Sequence, residues 1–216
     1  EIIIPKDKLT DFFSIVEPNI KKKLVIAEND YEKIKKFIPA ELYAKLYLDY
    51  DAKNYVVASV EFVYEDVVIN PLKEDGKNNV SRNWLKESKL IDMLVKSGFM
   101  LDNKNHILVL ADEDKIYKFL SEDIQEYMGN FEILATDTFK AKEIKQSTPI
   151  SIGVRIDNNL LDINFSNLYF DVEELQEIMQ QYKLKKKYHR LKDVIFINLE
   201  NNESLNFINS ITEDID

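Results

Sequence analysis

The chain has 216 residues, of which 45% are hydrophobic and 31% charged, with no cysteine and a formal net charge of −10. This composition predicts a folded protein of one domain or two small ones, and it excludes disulfides, thiolate metal sites and cysteine nucleophiles. No apolar run approaches the roughly 20 residues of a membrane helix, and the first residues lack the order of a secretion signal, so we expect a cytoplasmic protein. An acidic chain is also a poor general DNA-coating protein, because non-specific affinity comes mainly from Lys and Arg.

Residues 1–40 predict an N-terminal lead-in or connector without a core of its own. Proline interrupts helices, so Pro18 and Pro39 mark the ends of two helical stretches. The predicted elements are a strand at Ile2 to Ile4, a helix from Lys6 to Val16, a strand from Leu24 to Ala27 and a helical piece from Asp30 to Phe37.

Residues 41–139 predict a first α+β unit, because alternating apolar positions are separated by helical periodicity. The predicted strands are Leu42 to Asp49, Tyr55 to Tyr64, Val67 to Ile69, Phe99 to Leu101, His106 to Leu110 and Phe131 to Ala135. The predicted helices are Arg82 to Ser97, capped by Gly98, and Glu113 to Met128. The predicted inward faces are Trp84, Ser88, Ile91, Leu94 and Val95 on the first helix, and Ile116, Phe119, Leu120, Ile124 and Met128 on the second.

Residues 148–216 predict a second α+β unit. Its predicted elements are a hairpin of Ile150 to Ile156 and Leu160 to Phe165, a helix from Val172 to Tyr182, a hairpin of Lys187 to Leu191 and Val194 to Leu199, and a helix from Glu203 to Ile211. Asp171 stands where an N-cap belongs, Glu174 completes a capping box, and Phe170 can pack on Leu175. Both units therefore run hairpin, helix, hairpin, helix, which predicts an α+β fold of mostly antiparallel hairpins and suggests an internal duplication.

The candidate catalytic motifs are better explained by local structure. The segment Ile107 to Asp114 places acids after an apolar strand, as nucleotide hydrolases do, but no phosphate-binding glycine loop accompanies it. Asp112 is instead predicted to cap the following helix. Asp49 and Asp51 are predicted hairpin-turn residues, because Lys53 and Asn54 break a calcium-loop pattern.

The two histidines, His106 and His189, are far apart in sequence and belong to no metal or nucleophile motif, so no catalytic, cofactor or metal residue is predicted. His106 is expected to begin a strand.

A basic run follows the helix from Val172. Six of the ten residues from Lys183 to Lys192 are Lys or Arg. Three interpretations remain open: solvated charges that complement the helix C-terminus, a contact with an acidic protein, and a contact with nucleic acid. Strand alternation would place Lys187, His189 and Leu191 on one face and Tyr188, Arg190 and Lys192 on the other. The predicted contact residues are Lys183, Lys185, Lys186, Lys187, His189, Arg190 and Lys192.

Four segments in order resemble the bacterial Snf-two (Swi/Snf-type) helicase-associated domain, the region ahead of the ATPase lobes of bacterial Swi/Snf-like helicases. They are Glu41 to Leu72, Ser81 to Phe99, Asp112 to Ile124 and Lys185 to Leu199, so the resemblance covers Glu41 to Asp216. Two glycines of the family pattern are replaced here, by Glu65 after Tyr64 and by Val194 after Asp193, which puts the turns at both places in doubt.

The resemblance implies a non-catalytic accessory domain. It implies ATPase lobes in the same polypeptide, with ATP and magnesium expected only in that motor, and possible contact with DNA. The first residue, Glu1, is not an initiator Met, which fits a segment of a longer protein. Two alternatives stay open: a stand-alone interaction domain whose basic hairpin docks an acidic partner, and a hydrolase that uses the acids from Asp112 to Asp114.

Overall fold

The computed structural model describes residues 3–16, 33–73, 80–142, 144–145, 151–157, 160–166, 171–191 and 196–213. The chain forms two compact units, residues 1–136 and 137–216. Helices and a mixed sheet are both present, which confirms the predicted α+β class. The separation of a lead-in over residues 1–40 from units at 41–139 and 148–216 stays a prediction.

The first unit is built on a six-stranded sheet. Its strands lie in the order β4-β5-β2-β1-β6, with β3 paired to β2. All pairs are antiparallel except β1 with β6, which run parallel. The strands are β1 (Tyr43–Tyr50), β2 (Val56–Tyr64), β3 (Val67–Ile69), β4 (Met100–Asp102), β5 (Ile107–Leu110) and β6 (Glu132–Ala135).

Buried and partly exposed residues alternate strictly along β2, and this alternation shows which face of the sheet is buried. Every second residue of β2, from Val56 to Tyr64, is at most 1% exposed, and the residues between them are partly exposed. Because successive side chains of a strand point to opposite faces, one face forms the core and the other remains partly open. The predicted strands of this unit are thus confirmed, including the short β3.

Two helices follow β3 and β5. Helix α1 is Trp84–Lys96; helix α2 spans residues 113–128 and contains a π-helical turn at Phe119–Asp123. Gly98 has φ 98° and ends α1, with the Phe99 amide donating to the Leu94 carbonyl at 3.1 Å, so the predicted glycine cap is confirmed.

The predicted inward faces of these helices are partly wrong. On α1 the buried residues are Glu87, Leu90 and Leu94, while Trp84 and Val95 are more than half exposed. Glu87 can be buried because Arg82 neutralises it, which a hydrophobic pattern does not show. On α2, Met128 is 58% exposed and Tyr127 packs inward, stacked on Phe131 with ring centroids 5.8 Å apart.

The N-terminal predictions have mixed outcomes. Helical turns cover Lys6–Lys8, Leu9–Asp11 and Phe12–Val16, as predicted, and a further turn covers Lys35–Phe37. Ile3 and Ile4 lie in no strand, so that prediction is wrong for the described part of Ile2 to Ile4. The predicted strand from Leu24 to Ala27 lies outside the described residues.

Several tight turns use a left-handed residue other than glycine. Glu65 has φ 50° in the two-residue turn between β2 and β3, so a glycine-type backbone is kept there without a glycine. His106 has φ 54° and ends the turn before β5, where it precedes the strand that it was expected to begin. The turn at Asp193 and Val194 lies outside the described residues.

The described residues of the second unit form two hairpins and three helices. Hairpin β7–β8 and hairpin β9–β10 each form a two-stranded sheet, and Lys145 adds a parallel bridge to Ile197. The elements are α3 (Asp137–Ala141), β7 (Ser151–Asp157), β8 (Leu160–Ser166), α4 (Val172–Lys183), β9 (Tyr188–Arg190), β10 (Phe196–Asn198) and α5 (Glu203–Glu213). A core cluster joins α4, the second hairpin and α5 through Leu175, Ile178, Leu191, Ile197, Leu199, Leu205 and Ile208.

The predicted element order of this unit is confirmed, but the suggested internal duplication is not. In the first unit the two hairpins join one sheet through β2 and β5. Within the described residues of the second unit, the two hairpins belong to separate sheets. The shared order therefore does not extend to the sheet topology.

Candidate functional site

The basic run begins where helix α4 ends. Asp171 caps the start of α4 by accepting a hydrogen bond from the Glu174 amide at 2.8 Å, as predicted. At the other end Lys185 has φ 56°, and the Lys186 amide donates to the Gln181 carbonyl at 3.0 Å. This is the hydrogen-bond pattern that usually ends on glycine, and here a lysine takes the left-handed position. The reversal gathers the lysines around the last turn of α4.

Three of the predicted contact residues, Lys183, Lys185 and Lys186, line one concave groove of about 750 Å³. Tyr182 also lines it, and its hydroxyl is hydrogen-bonded to the side chain of Asn206 on α5. The remaining lining comes from the turn after β10 and from α5: Leu199, Glu200, Asn201 and Asn209. The groove therefore lies between the C-terminus of α4, the turn after β10 and the middle of α5.

The groove carries a net positive charge. All three lysines are exposed, and within the described residues none of them forms an ion pair. Glu200 contributes one opposing charge, so the described lining side chains sum to about two positive charges. The negative end of the α4 dipole, worth about half a charge, reduces this further without reversing it.

Helix-end solvation explains part of this charge. Cations near a helix C-terminus are each favourable by roughly 0.3 to 1 kcal/mol, and all three groove lysines lie close enough to the end of α4 to gain from it. The explanation applies to Lys186 as well, because its amide bonds to the last turn of α4.

The other predicted residues do not line this groove. Arg190 lies on β9 with its guanidinium carbon 5.4 Å from the ring centre of the buried Phe196, so it packs against the hairpin. His189 pairs in register with the core residue Ile197. Lys187 is exposed but outside the lining, and Lys192 lies outside the described residues.

Sequence reasoning missed the polar lining opposite the lysines. Five asparagines occur between residues 198 and 209, a density that could have drawn attention to this segment. Asn201, with φ 54°, and Asn209 line the groove, whereas Asn202 is buried and accepts from the Leu205 amide at 3.2 Å to cap α5. The asparagine-rich segment thus has both structural and surface positions.

The acidic motifs have structural roles. Asp112 accepts a hydrogen bond from the Lys115 amide at 3.0 Å and caps α2, as predicted. Asp51 accepts from the Lys53 and Tyr55 amides, each at 2.9 Å, and closes the β1–β2 turn. No group of three or more potential metal ligands occurs in the described parts of the chain. Nor does any helix there have the length and apolarity to cross a membrane.

Fold and groove together define an α+β domain with a basic surface patch in an acidic chain. The chain belongs to the bacterial SNF2 helicase-associated family, whose sequence model matches residues 1–216. This confirms the resemblance and extends it, because the first 40 residues also fall within the match. No curated protein and no solved structure matches the chain.

Proposed function

We propose that this chain is a non-catalytic accessory domain of a Swi/Snf-like, DNA-dependent ATPase. In this role it positions or regulates the motor through contacts with the ATPase lobes of the same polypeptide and with DNA. The observation that carries the proposal is the family match over residues 1–216. ATP and magnesium then act in the motor lobes, in the cytoplasm, and this domain contributes binding surface.

The lysine-lined groove is the surface proposed for the anionic contact. Lys183, Lys185 and Lys186 line one concave groove. Even in an acidic protein, such a basic patch attracts anions within about 8 Å at physiological salt, the distance over which charges are screened. Carboxylates farther from the groove than this distance are largely screened. A local contact with an anion is therefore compatible with the net charge of −10.

The test uses the parent protein with its ATPase lobes. Reversing Lys183, Lys185 and Lys186 to Glu should raise the DNA concentration for half-maximal ATPase stimulation by roughly tenfold or more, because three phosphate contacts are lost. The basal rate without DNA should remain. The matched control reverses three exposed lysines of the first unit, Lys53, Lys89 and Lys104.

The proposal fails if the groove variant keeps both its stimulated rate and its DNA requirement. The coding sequence gives a second, independent check. ATPase lobes encoded in the same reading frame support the accessory role, and their absence would favour the stand-alone interaction domain that docks an acidic partner.

A further inference from the structure

We infer that the groove at the end of α4 binds the phosphodiester backbone of a nucleic acid, with lysines on phosphates and asparagines on neighbouring polar groups. This deepens the proposed function and rests on it, because it names the chemistry of the anion that the groove takes. The supporting observations are the residue types in the lining, the roles of the neighbouring asparagines and the backbone at Lys185.

The charged residues of the lining favour phosphate over a protein surface. Protein–protein interfaces are enriched in Arg and aromatic residues and depleted in Lys. Here the three cations are lysines, and Arg190 is packed on Phe196 away from the lining. Lysine is a compact point charge that binds phosphate without a fixed orientation, which suits a repeating backbone.

The asparagines supply the neutral part of the same site. Asn198 accepts from the Glu200 amide at 2.9 Å, Asn202 caps α5, and Asn206 holds Tyr182, so these three have structural roles. Asn201 is exposed in the groove lining, whereas Asn209 lines it with its Oδ1 buried. The exposed amide of Asn201 both donates and accepts, so it can meet phosphate oxygens, sugars or base edges.

The backbone at Lys185 also indicates a binding role. Left-handed φ is unfavourable for a residue with a Cβ, and glycine would end α4 more easily. Lys185 nevertheless holds φ 56° beside Lys186 at the groove. A lysine in this conformation is less favourable than a glycine, yet it places a charge at the groove. Backbone strain that is kept at such a position indicates a functional role.

Fluorescence anisotropy of the full 216-residue chain with labelled oligonucleotides measures this directly. Three neutralised phosphates predict a slope of log affinity against log salt of about −2.7 for duplex DNA and about −2.1 for a single strand. Lys186→Ala should lower duplex affinity about 15-fold near 50 mM salt and about 4-fold near 200 mM, and should make the slope shallower by about 0.9. Comparing the two oligonucleotides identifies which form supplies the backbone.

Three variants separate binding from folding. Lys185→Gly should weaken binding while raising the melting temperature by a few degrees, because it removes a charge and relaxes a left-handed residue. Glu200→Gln should strengthen binding, since it removes the one acid of the described lining. Asn201→Gly keeps the left-handed turn and should weaken binding without changing the salt slope. Lys140→Ala, an exposed lysine of the same unit outside the groove, is the control and should leave affinity near wild type.

The inference is overturned if neither oligonucleotide binds, or if Lys140→Ala weakens binding as much as Lys186→Ala. It is also overturned if a labelled poly-glutamate peptide binds, shows the changes in affinity that are expected here for each variant, and the oligonucleotides do not bind. That last result would remove the DNA contact at the groove and leave the accessory role to a protein contact. The reading frame tests the accessory role on its own, because ATPase lobes encoded with the chain support it whichever probe binds the groove.

Discussion

The buried ion pair at the start of α1 gives a quantitative prediction for the first unit. The Glu87 side chain is 5% exposed and accepts from Arg82 Nε at 2.9 Å, from Arg82 Nη2 at 2.6 Å and from the Tyr64 hydroxyl at 2.5 Å. The Tyr64 hydroxyl in turn accepts from the Asn83 amide at 2.9 Å. Arg82 therefore fixes the carboxylate that ties α1 to the end of β2.

Arg82→Ala removes two charge-assisted hydrogen bonds and leaves a buried carboxylate without its cation. Hydrogen bonds to charged groups contribute about 1.5 to 3 kcal/mol each, and breaking a buried ion pair costs about 3 to 5 kcal/mol. The guanidinium also lies 3.8 Å from the ring centre of Trp84, a contact worth about 0.5 to 1 kcal/mol at a partly exposed site. We expect Arg82→Ala to lower the free energy of unfolding by about 4 kcal/mol, a large share of the stability of a typical domain.

The assay is urea unfolding followed by tryptophan fluorescence. Trp84 is the single tryptophan of the chain and lies in the first unit, so its signal reports on that unit. Because Trp84 contacts Arg82, its baseline must be measured in each variant, and far-UV circular dichroism supplies a second signal.

A double variant distinguishes the buried charge from simple loss of packing. Arg82→Leu combined with Glu87→Met removes both charges at similar volume, and such replacements are often neutral. We expect it to recover most of the loss caused by Arg82→Ala. This reasoning would be refuted if Arg82→Ala lowered the free energy of unfolding by less than about 1 kcal/mol. It would also be refuted if the double variant lost as much stability as the two single variants, Arg82→Leu and Glu87→Met, lose together.

Two further predictions concern a helix cap and a tyrosine. Asp171→Ala should lower the stability of the second unit by about 1 kcal/mol, because the Glu174 amide loses its acceptor, whereas Asp171→Asn should retain most of that stability. Urea unfolding followed by circular dichroism measures both variants, and equal losses would contradict the capping role. Burial raises the pKa of Tyr127 to about 12, while its hydroxyl lies 2.8 Å from Ser97 Oγ. The unfolded chain loses this proton near pH 10 and the folded chain near pH 12. The stabilisation is therefore complete below pH 10 and falls between these values, by at most about 3 kcal/mol. Tyr127→Phe should make that alkaline decline shallower, and an unchanged slope between pH 9 and pH 11 would exclude the effect.

The sequence predicts the local elements of this fold well because their signals are local. The alternation in β1 and β2, the cap at Asp171 and the glycine at the end of α1 each depend on residues close together in the chain. The parallel pairing of β1 with β6 joins segments about 85 residues apart, and no local pattern encodes it. The same limit applies to the join between β2 and β5, which turns two hairpins into one sheet.

The face of α1 was predicted wrongly for a chemical reason. Hydrophobic periodicity assigns an acid to solvent and a tryptophan to the core. Here Glu87 is buried by its pairing with Arg82, and Trp84 stays outside against the same guanidinium. The acid is therefore buried and the tryptophan exposed, the reverse of what the hydrophobic pattern predicts. Only the contact between Arg82 and Glu87 shows which side of α1 faces the sheet.

The candidate site shows the same division between local and tertiary information. The lysines are conspicuous in the sequence, but the sequence alone cannot say which of them share a concavity. That depends on the turn after β10 lying beside the end of α4, which the core contacts of Leu199 and Ile178 enforce. Packing therefore divides one basic run: Lys183, Lys185 and Lys186 meet the asparagines, and Arg190 packs on Phe196. If charge density alone governed binding, reversing Arg190 would cost as much affinity as reversing Lys186; if the groove governs it, Lys186 should dominate at every salt concentration.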